Sequence, residues 1–169
     1  MEKSNEALKQ WLHRYRDLQL YAGRLWDRLD DLRGRVESAR TAHLDGMPHA
    51  HGDDADRLGS IAAELEEIEA EAREAQAEAT AARREISAAV RQIRGPRWAD
   101  KREILRLRYI DALRWEDVTE RMFGDSQDFW DRAEVYLRRS YRLHAEALEE
   151  LAQYVPLETG QEMETGNEI

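Results

Sequence analysis

A chain of 169 residues, 37% charged and 41% hydrophobic, has room for one modest domain or for a small domain with extended helices. It has no cysteine, which excludes a disulfide framework and a thiolate zinc site, and its net charge of −10 argues against an indiscriminate binder of polyanions. The first stretch, MEKSNEALKQWLHRYRDL, lacks the apolar centre of a signal peptide, and no apolar run approaches the roughly 18 residues of a membrane span, so a soluble cytoplasmic protein is expected.

Richness in Ala, Glu, Arg and Leu, with only three prolines, predicts an all-α chain with coiled-coil character. Residues 5–43 read as one long helix. Ala22, Leu25, Leu29, Leu32, Val36, Ala39 and His43 recur at spacings of three and four, and Leu8, Leu12, Tyr15 and Leu18 extend the stripe upstream. Gly23 and Gly34 each weaken that helix by about 1 kcal/mol relative to alanine. Residues 44–53, with two glycines and a proline, read as a loop. A second long helix follows over 54–94, its seam running Leu58, Ile61, Leu65, Ile68, Ala72, Ala75, Ala79, Ala82, Ile86, Ala89, Ile93. Two such helices joined by a short loop fold back most simply as an antiparallel hairpin over 1–95. The alanine-rich seam wants bulkier residues opposite, from Leu25, Leu29, Leu32 and Val36 of the first helix or from another chain.

Gly95-Pro96 stops the second helix. A compact three-helix unit is expected over 96–155, its helices spanning about 100–112, 115–123 and 127–154. Ile104, Leu107, Ile110 and Leu113 face inward from the first of these, and Trp115, Val118 and Met122 from the second. Trp130, Ala133, Leu137, Tyr141, His144, Leu148 and Leu151 form the apolar stripe of the third. Residues 156–169 are acidic, lack apolar periodicity and read as disordered. From Glu146 onward there are seven acidic residues and no Lys or Arg, so most of the net charge sits in this end of the chain.

Arg138, Arg139 and Arg142 are the leading candidates for DNA contact, because arginine suits both phosphate clamping and bidentate readout of guanine. The competing account is a solvated face paired with Glu134 and Glu146. Arg132 belongs to the same basic run, and Arg106 and Arg108 are candidates for backbone contact, with Glu103 and Asp111 as rival partners. Trp115, Trp130 and Tyr141 sit at helical spacing among apolar residues, which favours core packing over base stacking. His144 reads as a packed core histidine. His43, His49 and His51 fall in or beside a glycine-containing loop that fixes no ligand set, so no metal or other cofactor is expected. The chain has no glycine-rich phosphate loop, no nucleophile elbow and no HExxH helix, so it is not expected to be an enzyme.

The order of motifs from Leu105 to Leu148 carries a resemblance. These are LRLRY at 105–109, Trp115-Glu116-Asp117-Val118, and Arg142-Leu143-His144 followed by Ala147-Leu148. Gly46-Met47-Pro48-His49, then Asp56 and Leu58, add to it. The chain resembles a family of phage and prophage proteins whose C-terminal part looks like the helix-turn-helix of bacterial sigma factors. They are similar in layout to phage late-transcription regulators of the ArpU and RinA types. The resemblance spans about residues 43–151. It implies a cytoplasmic protein of the bacterial host cell that binds promoter DNA, with the coiled coil mediating dimerisation or contact with RNA polymerase. One departure stands out: GDSQDFWDRAEVYL at 124–137 is roughly ten residues longer than the family's short turn, and it brings Asp125, Asp128, Asp131 and Glu134 to where bases are ordinarily read. Two rival readings follow from the acidity, namely a structural or assembly adaptor of terminase-like packaging type, and a module that binds RNA polymerase without reading DNA.

Overall fold

The computed structural model describes residues 2–43 and 53–156. The readings of the histidine-containing loop and of the acidic tail fall outside these residues. The fold is all-α, a pair of long helices followed by smaller ones: α1 (Glu2–His43), α2 (Asp53–Val90), α3 (Trp98–Leu105), α4 (Trp115–Phe123) and α5 (Ala133–Leu151). A π-helical turn, Arg106–Ile110, continues α3, and a 3-10 turn, Trp130–Arg132, leads into α5. Among the described residues there is no strand, and no helix is long and apolar enough to cross a membrane. Contacts gather the described residues into two compact units, those within 15–82 and those of 2–14 together with 83–156, so each long helix contributes to both.

Within residues 15–82, α1 and α2 run antiparallel. The Tyr21 hydroxyl donates to Glu71 and Arg28 bonds Glu64 at 2.7 Å, so seven residues forward on α1 meet seven residues back on α2. The seam between them sets large residues against small ones. Ala22, Leu25 and Leu29 form one cluster with Ile68, Ala72 and Ala75, and Trp26, Leu32 and Leu65 cover its edges. The bulk that the alanine seam requires is thus supplied by the same chain. Gly23 is exposed, with open space where a Cβ would stand.

The other unit is organised around the end of α2. Past Val90 the backbone leaves the helix and exposes carbonyls and N–H groups that need partners. The Arg102 guanidinium donates to the carbonyls of Arg91 and Ile93, the latter at 2.8 Å, while its face lies 4.5 Å from the Trp98 ring. Glu150, near the far end of α5, accepts from the N–H groups of Arg94 (2.8 Å) and Gly95 (2.7 Å) with one oxygen. Its other oxygen accepts from Lys101 Nζ (2.9 Å). The Gly95 N–H foremost, and then the Lys101 ammonium, hold the Glu150 carboxyl below its ordinary pKa. A Cβ at Gly95 would stand 2.7 Å from Glu150 Oε2, so a side chain there displaces the carboxylate.

Three expectations are corrected. The helix expected over 100–112 is α-helical only to Leu105, and the wider π turn beyond it carries Leu107 and Tyr109 inward together, beside buried Leu105. Ala112, in the left-handed region at φ 54°, ends that turn and re-aims the chain into α4. The third helix of this unit starts at Ala133 rather than 127. Phe129, not Trp130, enters the core, and Asp128 accepts from the Tyr136 hydroxyl (2.6 Å) and Arg132 (3.0 Å), which fixes the connection before the helix begins. The later start shifts the apolar face of α5. Trp130, Ala133 and Tyr141 are exposed, and Ser140, Leu143, His144, Ala147, Leu148 and Leu151 are buried.

Two predictions follow from these contacts. Glu150→Ala leaves two backbone donors unsatisfied and the nearly buried Lys101 without its counter-charge, a loss of about 3 kcal/mol. Gly95→Ala evicts the same carboxylate, so in denaturant unfolding the double variant is expected to be little worse than either single one. Additive losses would mean that the two residues act separately. The second pair concerns backbone conformation: Gly23→Ala in an open helical position and Ala112→Gly in the left-handed region are each expected to stabilise by roughly 0.5–1 kcal/mol, read as a rise in Tm.

Candidate nucleic-acid interface

The geometry of α5 follows from what locks its inner face. Leu143, Ala147, Leu148 and Leu151 are buried against its neighbours, and the hydroxyls of Thr119 and Ser140 bond at 2.9 Å between α4 and α5. A chain of rings completes the anchorage. His13 meets Tyr109 edge-on at 5.0 Å, and Tyr109 stacks on His144 at 5.7 Å. His144 meets Trp115 at 4.9 Å, and Trp115 meets Tyr141 at 4.8 Å. The Tyr109 hydroxyl and His144 Nε2 share a hydrogen bond of 3.0 Å. Burial, reinforced by the charges of Lys9 and Arg108, pushes the His144 pKa down to about 4, so the ring is neutral at physiological pH. Burial pushes the Tyr109 hydroxyl up to about 12. The expectation of a packed core histidine at 144 is met.

With that face fixed, the opposite side of α5 carries Arg138, Arg139 and Arg142. All three are exposed and lie within about 100° of one another at 3.6 residues per turn. Arg138 is paired at 3.5 Å with Glu134, one turn back. The Arg139 guanidinium lies over the Phe123 ring at 4.8 Å, leaving its edge available for hydrogen bonding. Arg142 has no hydrogen-bond or ion-pair partner among the described residues. Because α5 begins at Ala133, Arg138 and Arg139 stand in its second turn, closer to its start than the sequence suggested.

The other candidates are held elsewhere. Arg132 is tied to Asp128 in the connection, and Arg106 to Glu103 at 2.9 Å and to Asp111 at 3.9 Å. Arg108 is half-buried, donating to the Leu113 carbonyl at 2.7 Å with its face 5.2 Å from the Trp115 ring, so it braces the turn before α4. Arg114, just before α4 and paired with Asp117 at 3.6 Å, and Arg121 within α4 are also exposed and were not among the sequence candidates. The inward phase of Trp115, Val118 and Met122 already points Arg121 outward. Acidic groups interleave throughout: Glu134, Glu146 and Glu149 on α5, and Glu116, Asp117 and Glu120 on α4. No group of three metal-ligating side chains gathers among the described residues. What the α5 face offers is charge-assisted hydrogen bonding to phosphate or to a base edge. No family model, curated protein or solved structure matches this chain.

The His144 environment predicts a pH dependence. Above pH 6.5 the ring is neutral in both states and makes no difference to stability. Below it the unfolded chain takes up a proton that the folded chain refuses until about pH 4, so stability falls through that window. The whole effect amounts to roughly 2–3 kcal/mol. His144→Gln, which cannot titrate, is expected to lose most of the slope between about pH 5 and 6.5. An unchanged slope would place the titrating group elsewhere.

Proposed function

We propose that the chain is a transcriptional regulator of phage type that binds duplex DNA through the outer face of α5. In this reading the paired long helices serve dimerisation or contact with RNA polymerase. The observation that carries it is the placement of Arg138, Arg139 and Arg142 together on the solvent side of a helix whose other side is locked into a core. Arg142 is free of partners among the described residues, so binding phosphate there breaks no existing pair. The resemblance to sigma-like readers selects DNA among the possible polyanions and gives α5 the role of recognition helix. The connection of nine residues between α4 and α5 is longer than the three or four of a minimal helix-turn-helix, and it takes the form of turns rather than of a lengthened helix.

A second reading, a module that binds RNA polymerase or an assembly partner without reading DNA, is favoured by Glu116, Asp117 and Glu120, which make the outer face of α4 acidic. Pull-down of genomic fragments separates the two. Under the DNA reading the wild-type chain enriches a preferred sequence at low salt, and Arg138→Glu with Arg139→Glu reduces retrieval at least tenfold. The salt dependence of the paired charge-neutralising variant, Arg138→Gln with Arg139→Gln, has a slope lower by about two, one for each lost phosphate contact. Retrieval without sequence preference, or retrieval that survives the glutamate changes, overturns the DNA reading.

A further inference from the structure

The start of α5 and the turn before it leave an apolar groove against α4. Its volume is about 230 Å³, with Phe129 as the buried floor and Trp130 and Leu137 as walls. Trp130 is 75% exposed, the most exposed of the large hydrophobic residues among those described. The exposure is built in. Phe129 takes the core position, Asp128 clamps both Arg132 and Tyr136, and the Phe129 ring packs against Tyr136 at 5.5 Å, so the turn is held with the indole outward, edge-on to Phe129 at 5.1 Å. The groove's lining includes three carboxylates, Glu116, Glu120 and Glu134, and no cation. Glu116 and Glu120 have no cationic partner among the described residues, and Glu134 is paired only with Arg138 at 3.5 Å.

We propose that this groove is a docking site for a basic amphipathic helix of a partner protein, which seats one bulky apolar side chain beside Trp130 and sets lysines or arginines against the three carboxylates. Charge complementarity selects that occupant: an acidic or neutral segment leaves the rim charges repelled or merely desolvated, and a nucleic acid is repelled by them. An exposed tryptophan beside an apolar floor is the arrangement in which a single anchor supplies most of the binding energy. The groove adjoins the arginine face: Glu134 lines it and pairs with Arg138 at 3.5 Å, while Leu137 lies about 160° around α5 from Arg139.

The test uses two labelled synthetic helices with the same leucine face, one with lysines and one with glutamates on the polar side, titrated against the full chain by fluorescence anisotropy. The lysine helix is expected to bind and the glutamate helix to bind at least tenfold more weakly. Trp130→Ala, an exposed change that leaves Tm unaltered, is expected to weaken the lysine helix at least tenfold while leaving DNA retrieval unchanged. Glu116→Gln with Glu120→Gln is expected to weaken it and to flatten its salt dependence. Equal affinity for both helices, no binding of the lysine helix, or binding indifferent to Trp130→Ala overturns the proposal. So does loss of self-association in Trp130→Ala, which would make the groove an interface between copies of this chain.

Discussion

One carboxylate fixes the junction at which α3 and α5 meet the end of α2. Glu150 sits near the end of α5, yet its partners are the backbone just past α2 and a lysine on α3, so a single side chain fixes where three segments meet. The ends of helices are where a fold owes the most unmet hydrogen bonds, and here two long side chains meet them from opposite sides. Glu150 takes the free N–H groups while Arg102 takes the free carbonyls. The nearly buried Lys101 is tolerable only because this carboxylate accompanies it. With the junction set, the core of Ile93, Ile104, Leu105, Leu143 and Leu151 closes over it, and the outward direction of α5 is decided.

That direction gives α5 two chemically different sides. On one, arginines stand clear of the core and are interleaved with glutamates of the same helix, so their net field is weak and binding has to come from local geometry rather than from long-range attraction. On the other, an indole and a phenyl ring lie within a ring of carboxylates. Glu134, which lines the groove and pairs with Arg138, joins the two. The ring chain from His13 to Tyr141 braces α5, and His144 within it stays neutral because it is buried.

Much of this was legible in the sequence where the period was regular. The second-helix seam from Ile68 to Ile93 is buried at every expected position, and α4 begins and ends where Trp115 and Phe123 suggested. The part from α3 to α5 was less legible, for identifiable reasons. A 3.6-residue period cannot anticipate a π turn, so Leu105 and Tyr109 were missed as core. Between Phe129 and Trp130, adjacent aromatics of similar appeal, only the tertiary choice of Phe129 sets the phase of α5, and a one-residue error there misplaced Ala133 and Tyr141. The arginine trio on α5 was visible as a cluster, but the cation–π seat of Arg139 and the structural duty of Arg108 come from contacts across elements. Glu150 carried no signal, since one acid among several near the chain's acidic end looks like any solvated residue.

The seam of Ala72, Ala75, Ala79 and Ala82 has a thermodynamic corollary. Alanine removes little apolar surface from water, and the heat capacity of unfolding follows that surface. The paired stretch of α1 and α2 therefore has a shallow stability curve. Its strength rests on helix propensity and close backbone approach more than on hydrophobic burial, and it changes slowly on cooling or warming. The helices around Ile104 and Leu143, with bulkier cores, follow the steeper curve of an ordinary globular domain.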